Sequence, residues 1–132
     1  MSRPFLGNLG FTKLIVSDLQ AETAFYRAVC GYGEGHYVAA PIAGRDMEEI
    51  VFTRPDGEVE LVILSFREGP HPAPGSVLAG FYTEDLDAFQ ARVLANGGTI
   101  HQAIGPLRMG AIKTRFAYYT DPEGHLIEVI EG

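Results

Sequence analysis

Two glutamates stand where carboxylate chemistry is easily built. Glu60 lies in Val59-Glu60-Leu61, and Glu128 lies in Leu126-Ile127-Glu128-Val129-Ile130. Glu128 is a lone acid inside an apolar run, while Glu60 stands at the start of one, two residues after Glu58, and reads equally as a charge at a strand edge. A carboxylate held away from water has its proton affinity raised, which suits it to take a proton from carbon beside a carbonyl. Two carboxylates together could instead hold a hard, oxygen-loving divalent ion, weakly and with several waters. An unpaired carboxylate on a helix-packed face is costly, so Glu128 is expected on the open face of its strand.

The remaining reactive groups are scattered. Of the four histidines, His71 sits among prolines and is expected in solvent. His125 follows a turn, where most polar residues are tolerated. His36 and His101 lie in strand-like segments without metal-ligand spacing to a partner; joining the glutamates is their one route into a site. Cys30 is the single cysteine, which excludes an internal disulfide and a thiolate metal cluster. Its apolar neighbours make it a small buried hydrophobe rather than a reactive thiol.

The elements that position these residues come in two copies. Asp18-Leu19 and Asp85-Leu86 are 67 positions apart, as are Gly31 and Gly98, and Pro55-Asp56-Gly57 and Pro122-Glu123-Gly124. Each copy opens with an alternating, β-branched strand, Gly10 to Val16 or Val77 to Thr83. A helix follows. In the first copy Ser17 and Gln20 have capping-box spacing, and Leu19, Ala21, Ala24, Phe25, Ala28 and Val29 form a stripe. In the second, Leu86, Phe89, Val93 and Leu94 do the same, and glycines end both helices. Three strand-like segments come next in each copy. They run Gly35 to Ala40, Glu48 to Thr53 and Glu58 to Ser65, then Thr99 to Ile104, Ile112 to Thr120 and His125 to Glu131. Gly105 to Lys113 reads as a rim loop. The segment from Phe66 to Gly75 holds three prolines and reads as an extended linker. The chain is thus one domain, with modules at residues 8–65 and 76–132 joined by 66–75.

Bulk properties narrow the function. Ten basic against seventeen acidic residues give a net charge of −7, which argues against nucleic acid and anionic membrane surfaces. Apolar residues make up 46% and charged residues 20%, as in a globular chain. No apolar run reaches the ~18 residues that span a bilayer. Met1-Ser2-Arg3-Pro4-Phe5 lacks a signal-peptide core, so a cytoplasmic protein is expected.

Several segments resemble the vicinal oxygen chelate superfamily, which includes glyoxalases, bleomycin-resistance proteins and extradiol dioxygenases. Thr120-Asp121-Pro122-Glu123-Gly124-His125-Leu126-Ile127-Glu128 resembles its closing hairpin. Phe11 to Leu19 followed by Phe25-Tyr26 resembles its first strand and helix, and Asn96-Gly97-Gly98 with Gly105-Pro106 also matches. The resemblance implies an α+β fold of two tandem βαβββ modules, whose sheets form a curved cup or half-barrel with helices outside. It also implies a homodimer. Metal-dependent members carry His or Gln on each module's first strand and Glu on its last. Here the first-strand positions hold Phe11 and Leu78, which cannot ligate, while the last-strand positions hold Glu60 and Glu128. No cofactor is therefore expected, a divalent metal held weakly by Glu60 and Glu128 being the alternative. Glu60 is also out of step: at the 67-residue offset Glu128 corresponds to Leu61. A slip of one residue moves a side chain to the other face of a sheet.

Strand alternation then proposes a lining for the cup. Phe11, Lys13 and Ile15 share a side, as do Leu78, Gly80 and Tyr82, and Leu126, Glu128 and Ile130. Setting Ala117 across from Glu128 adds Tyr119 and Arg115. Arg115 either meets the ligand or neutralises a glutamate, and both tyrosines either meet the ligand or pack. The expected ligand is a small, mainly apolar organic compound with an oxygenated group. One reading is a lyase or isomerase with Glu128 or Glu60 as base and Arg115 or a tyrosine on the oxyanion. The other is a metal-free protein that sequesters its ligand, as bleomycin-resistance proteins do. The missing ligands leave a metal-dependent glyoxalase or dioxygenase as the least supported reading.

Overall fold

A computed structural model describes residues 6–132; the N-terminal stretch at residues 1–5, read above for signal character, lies outside them. The chain runs β1 (Thr12–Ile15), α1 (Leu19–Cys30), β2 (His36–Ile42), β3 (Arg45–Thr53) and β4 (Val59–Phe66), then β5 (Ala79–Thr83), α2 (Leu86–Ala95), β6 (Thr99–Met109), β7 (Ile112–Thr120) and β8 (Leu126–Glu131). The doubled βαβββ pattern gives two four-stranded sheets in the same order, β1-β4-β3-β2 and β5-β8-β7-β6. The first strand of each module runs parallel to its last, and the other pairs are antiparallel. The fold is α+β, and the sheets do not close into a barrel.

Both helices are capped by an aspartate. Asp18 and Asp85 have extended backbones and accept from the N–H three residues on, Ala21 and Ala88, each at 3.0 Å. The cap therefore falls one residue after the Ser17 of the expected capping box. The N–H groups of Ser17 and Asp18 donate instead to the Glu123 carboxylate of the other module, at 2.9 and 2.7 Å. Helix α1 ends at Gly31, whose φ of 75° is cheap only for glycine.

One core serves both modules. Leu14, Phe25, Phe52 and Ile63 of the first cluster with Phe89, Val93, Ala117 and Val129 of the second. Gly98 sits where chains press closest. A Cβ there would lie 2.6 Å from Val93, 2.8 Å from the Thr120 carbonyl and 2.9 Å from Phe25.

Two expectations change. The expected rim loop from Gly105 to Lys113 is mostly strand, because β6 and β7 stay paired out to Met109 and Ile112 around Gly110. The repeat also contains an insertion. Thr12 pairs with Leu61, and its counterpart Ala79 pairs with Ile127. Across the hairpin Phe52 pairs with Leu61 but Thr53 pairs with Val59, which leaves Glu60 as the extra residue of a bulge. Past it the offset is 66, and the first-module counterpart of Glu128 is Val62.

Candidate functional site

Alternation sorts the second sheet cleanly. Phe81, Ala117, Tyr119, Ile127 and Val129 face the helices and join or pack against the shared core. Gly80, Tyr118 and Glu128 take the opposite, open face. Glu128 is half-buried there, with Gly80 beside it on β5 and Tyr118 beside it on β7. The Tyr118 hydroxyl lies 3.3 Å from the Glu128 carboxylate and donates to it. Burial first, then the Glu128 charge, raises the pKa of that hydroxyl. Phe116 packs edge-on against Tyr118 at 5.6 Å, and Ile130 stands across from Phe116. On the other flank, nothing lies within 4 Å of where a Gly80 Cβ would be. The result is an acid with a hydroxyl neighbour, apolar surroundings and open space alongside.

The corresponding face of the first sheet is filled. Val62 and Leu64 are each 1% exposed. Lys13 lies across from Val62, and its ammonium pairs with Glu49 at 3.0 Å. Pro72 to Val77, from the end of the linker and the start of the second module, line a small crevice with Lys13 and Ile15.

Of the other sequence-derived candidates, Tyr82 alone shares a crevice with a candidate glutamate, Glu60. Phe11 and Leu78 precede β1 and β5 and are half-exposed, and Tyr82 is 80% exposed. Arg115 and Tyr119 are a correction: Tyr118, not Ala117, stands across from Glu128, so both point to the helix side. Tyr119 is fully buried, stacks on Phe89 and donates to Gln90 at 3.1 Å. Burial pushes its hydroxyl up to about 12. Arg115 binds Glu131 at 2.8 Å and Asp87 at 3.0 Å. The hydrogen bonds from Arg115, with that of the Leu86 N–H, hold Glu131 down to about 2.

Glu60 does not join Glu128. The bulge turns it toward Tyr32, whose hydroxyl donates to it and whose ring stacks on Phe52 at 4.6 Å. Glu60, Tyr32, Cys30 and Arg92 line a crevice of about 550 Å³ together with Gly80 and Tyr82 of β5, and Glu128 is not part of its wall. Burial, then the Glu60 charge, pushes the Cys30 thiol up to about 12.

His36 and His101 are not brought to either glutamate, and His101 is exposed. His71, expected in solvent, is half-buried with its Nδ1 unpartnered. His125 departs furthest from its sequence reading. It is 6% exposed, and its Nδ1 lies 3.0 and 2.9 Å from the two carboxylate oxygens of Asp121. Asp121 also accepts from the Tyr26 hydroxyl at 2.8 Å and from the backbone N–H groups of Glu123 and His125. Burial alone would raise Asp121, but hydrogen bonds from Glu22, His125 and Tyr26 hold it below the usual range. Glu22, one turn before Tyr26 on α1, completes the group at 0% exposure. Burial, then neighbouring Asp121, pushes Glu22 up to about 10. Glu22, Asp121 and His125 have donor atoms within 4.8 Å of one another and could hold a metal ion. The sequence carried one signal for this group: Glu22 interrupts an apolar helix face at the position where the second copy has Phe89.

Comparison with known proteins agrees with this architecture. The family model described as Glyoxalase/Bleomycin resistance protein/Dioxygenase superfamily matches residues 8–129. A glyoxalase family protein from Bacillus cereus superposes with a TM-score of 0.77 at 18% identity, covering 99% of this chain and 97% of that one. A glyoxalase/bleomycin resistance protein from Albidiferax ferrireducens T118 gives 0.68 at 24% identity, covering 94% and 98%. A mutant of the genomically encoded fosfomycin resistance protein FosX of Listeria monocytogenes, complexed with Mn(II) and 1S,2S-dihydroxypropylphosphonic acid, gives 0.65 at 22% identity, covering 97% and 94%. At these identities the likeness concerns the fold. No curated protein sequence matches the chain significantly. Among the described residues no helix is long and apolar enough to cross a membrane.

Proposed function

Because the chain belongs to the Glyoxalase/Bleomycin resistance protein/Dioxygenase superfamily, we propose that the open face of its second sheet binds a small, mainly apolar organic compound carrying an oxygenated group. The observation that supports this best is Glu128, a half-buried carboxylate with the Tyr118 hydroxyl on one side and the unfilled space over Gly80 on the other. Phe116 and Ile130 supply apolar contact, and the polar pair fixes orientation.

The same pair favours a second reading, a lyase or isomerase. Glu128 would take a proton from carbon next to a carbonyl, and the Tyr118 hydroxyl, turned toward the substrate, would hydrogen-bond the oxyanion that forms. FosX is described with Mn(II). The face around Glu128 does not fit such an ion: Phe11 and Leu78 offer no donor atom, and Glu60 turns toward Tyr32. The reading therefore uses no metal at this face. Related two-module proteins often dimerise, and modules from different chains can complete one cup, so a homodimer is part of the proposal.

A thermal-shift screen of small aromatic and aliphatic carbonyl compounds, diols and phosphonates tests binding. A hit should raise the melting temperature of the wild type and not of Glu128→Gln. An equal rise in both would remove Glu128 from the site. Turnover of the hit, followed by NMR, separates catalyst from binder. Sedimentation of the protein tests the dimer.

A further inference from the structure

The cluster of Glu22, Asp121 and His125 lies on the helix-covered side of the second sheet, away from the open face. It joins α1 of the first module to the β7–β8 turn of the second. Two of its three members are acidic, and they are closely packed. Two carboxylates meet in the interior, and among the described residues no Lys or Arg pairs with either. The groups facing them are the Tyr26 hydroxyl, the backbone N–H groups of Glu123 and His125, and the His125 ring.

One acceptor is orphaned. Glu22 Oε1 accepts from the Glu123 N–H at 3.1 Å, but no protein donor reaches Oε2 and it has no contact with solvent. Oε2 points into the cluster, 3.8 Å from His125 Nδ1, which lies 2.9 Å from Asp121 Oδ2. A buried carboxyl oxygen that meets no donor, only a neighbouring carboxylate, calls for a physical reason. A divalent cation among the three donors, taking the place of the proton between the two acids, would complete Oε2 and balance both carboxylates at once.

We propose that Glu22 Oε2, Asp121 Oδ2 and His125 Nδ1 form a structural site for a divalent metal of the zinc class, bolting the first helix to the second hairpin. Two carboxylates and one imidazole are a borderline donor set that suits Zn²⁺, Co²⁺ or Mn²⁺. The Tyr26 hydroxyl and two backbone N–H groups already hold the Asp121 carboxylate in place. The site occurs once, because at the repeat offset the other copy has Phe89, Arg54 and Glu58 at these three positions. It shares no residue with the Glu128 face.

The test uses chelator-treated full-length protein titrated with Zn²⁺, and with Co²⁺ as a spectroscopic reporter. The wild type should take up one ion per chain, show the visible d–d bands of a low-coordinate Co²⁺ site, and melt at a higher temperature when loaded. Glu22→Gln and His125→Gln should each weaken uptake by more than ~100-fold, beyond the range that loss of a residue merely supporting a ligand causes. Glu128→Gln should bind the ion as the wild type does. Absence of saturable uptake by the wild type overturns the site without need of any variant and leaves the triad as a hydrogen-bonded junction. Uptake lost in Glu128→Gln and kept in Glu22→Gln overturns it too, by moving the ion to the open face.

Discussion

Glu128 stands directly across the hairpin from Tyr118, and the two side chains meet on the open face at 3.3 Å. A hydrogen bond to a charged group is worth ~1.5–3 kcal/mol. A ligand whose oxygenated group relies on Glu128 should therefore lose at least about tenfold in Kd in Glu128→Gln. Tyr118→Phe should lose less, because the carboxylate remains. Calorimetric titration of the best thermal-shift ligand measures both.

Tyr26 is the inward partner of Asp121, bonded at 2.8 Å in a site without solvent. Tyr26→Phe removes that donor and should destabilise the fold by ~1–3 kcal/mol. Urea unfolding should show a lower midpoint at an unchanged slope, as expected when stability changes and exposed surface does not.

Gly98 and Gly80 should answer alike substitutions in opposite ways. A methyl at Gly98 collides with Val93, Phe25 and a carbonyl, so Gly98→Ala should cost ~1–3 kcal/mol as an overpacked site. A methyl at Gly80 meets nothing within 4 Å, so Gly80→Ala should leave the melting temperature nearly unchanged. It would, however, intrude on the space beside Glu128 and weaken ligand binding.

Glu131 carries a pH dependence of known sign. Its carboxyl is held down to about 2 by Arg115 and the Leu86 N–H, below the ordinary 4.5. The stabilisation is therefore full above about pH 4.5 and lost as pH falls toward 2. The melting temperatures of wild type and Arg115→Gln should differ at neutral pH and converge on acidification. The pair is near solvent, so added salt should narrow the gap as well.

Cys30 should be sluggish. With its thiol pushed up to about 12, almost no thiolate exists at pH 8. Reaction with a disulfide reagent should be slow in the native protein and rapid in urea.

Topology was legible because it rests on repetition: aspartates, glycines and turns recurring at one offset encode two like modules. Glu128 was legible because its alternation is unbroken from Leu126 onward. What escaped was parity. The insertion at Glu60 leaves no mark in residue type, yet it sends one acid toward Tyr32. Placing Ala117 across from Glu128 was wrong by one residue, which exchanged Arg115 and Tyr119 for Phe116 and Tyr118. The buried triad escaped for another reason. Its members come from opposite ends of the chain, and only tertiary packing brings Glu22 onto Asp121 and His125.

The Glu123 carboxylate that closes the start of α1 breaks the equivalence of the two modules. Its counterpart in the first module, Asp56, accepts from its own Glu58 N–H and does not reach α2. The start of α2 is served by Glu131 instead. The two halves, alike in topology, are therefore not interchangeable. A protein built from two copies of the first half would leave its leading helix without its anion, and neither half carries all that it needs to stand alone.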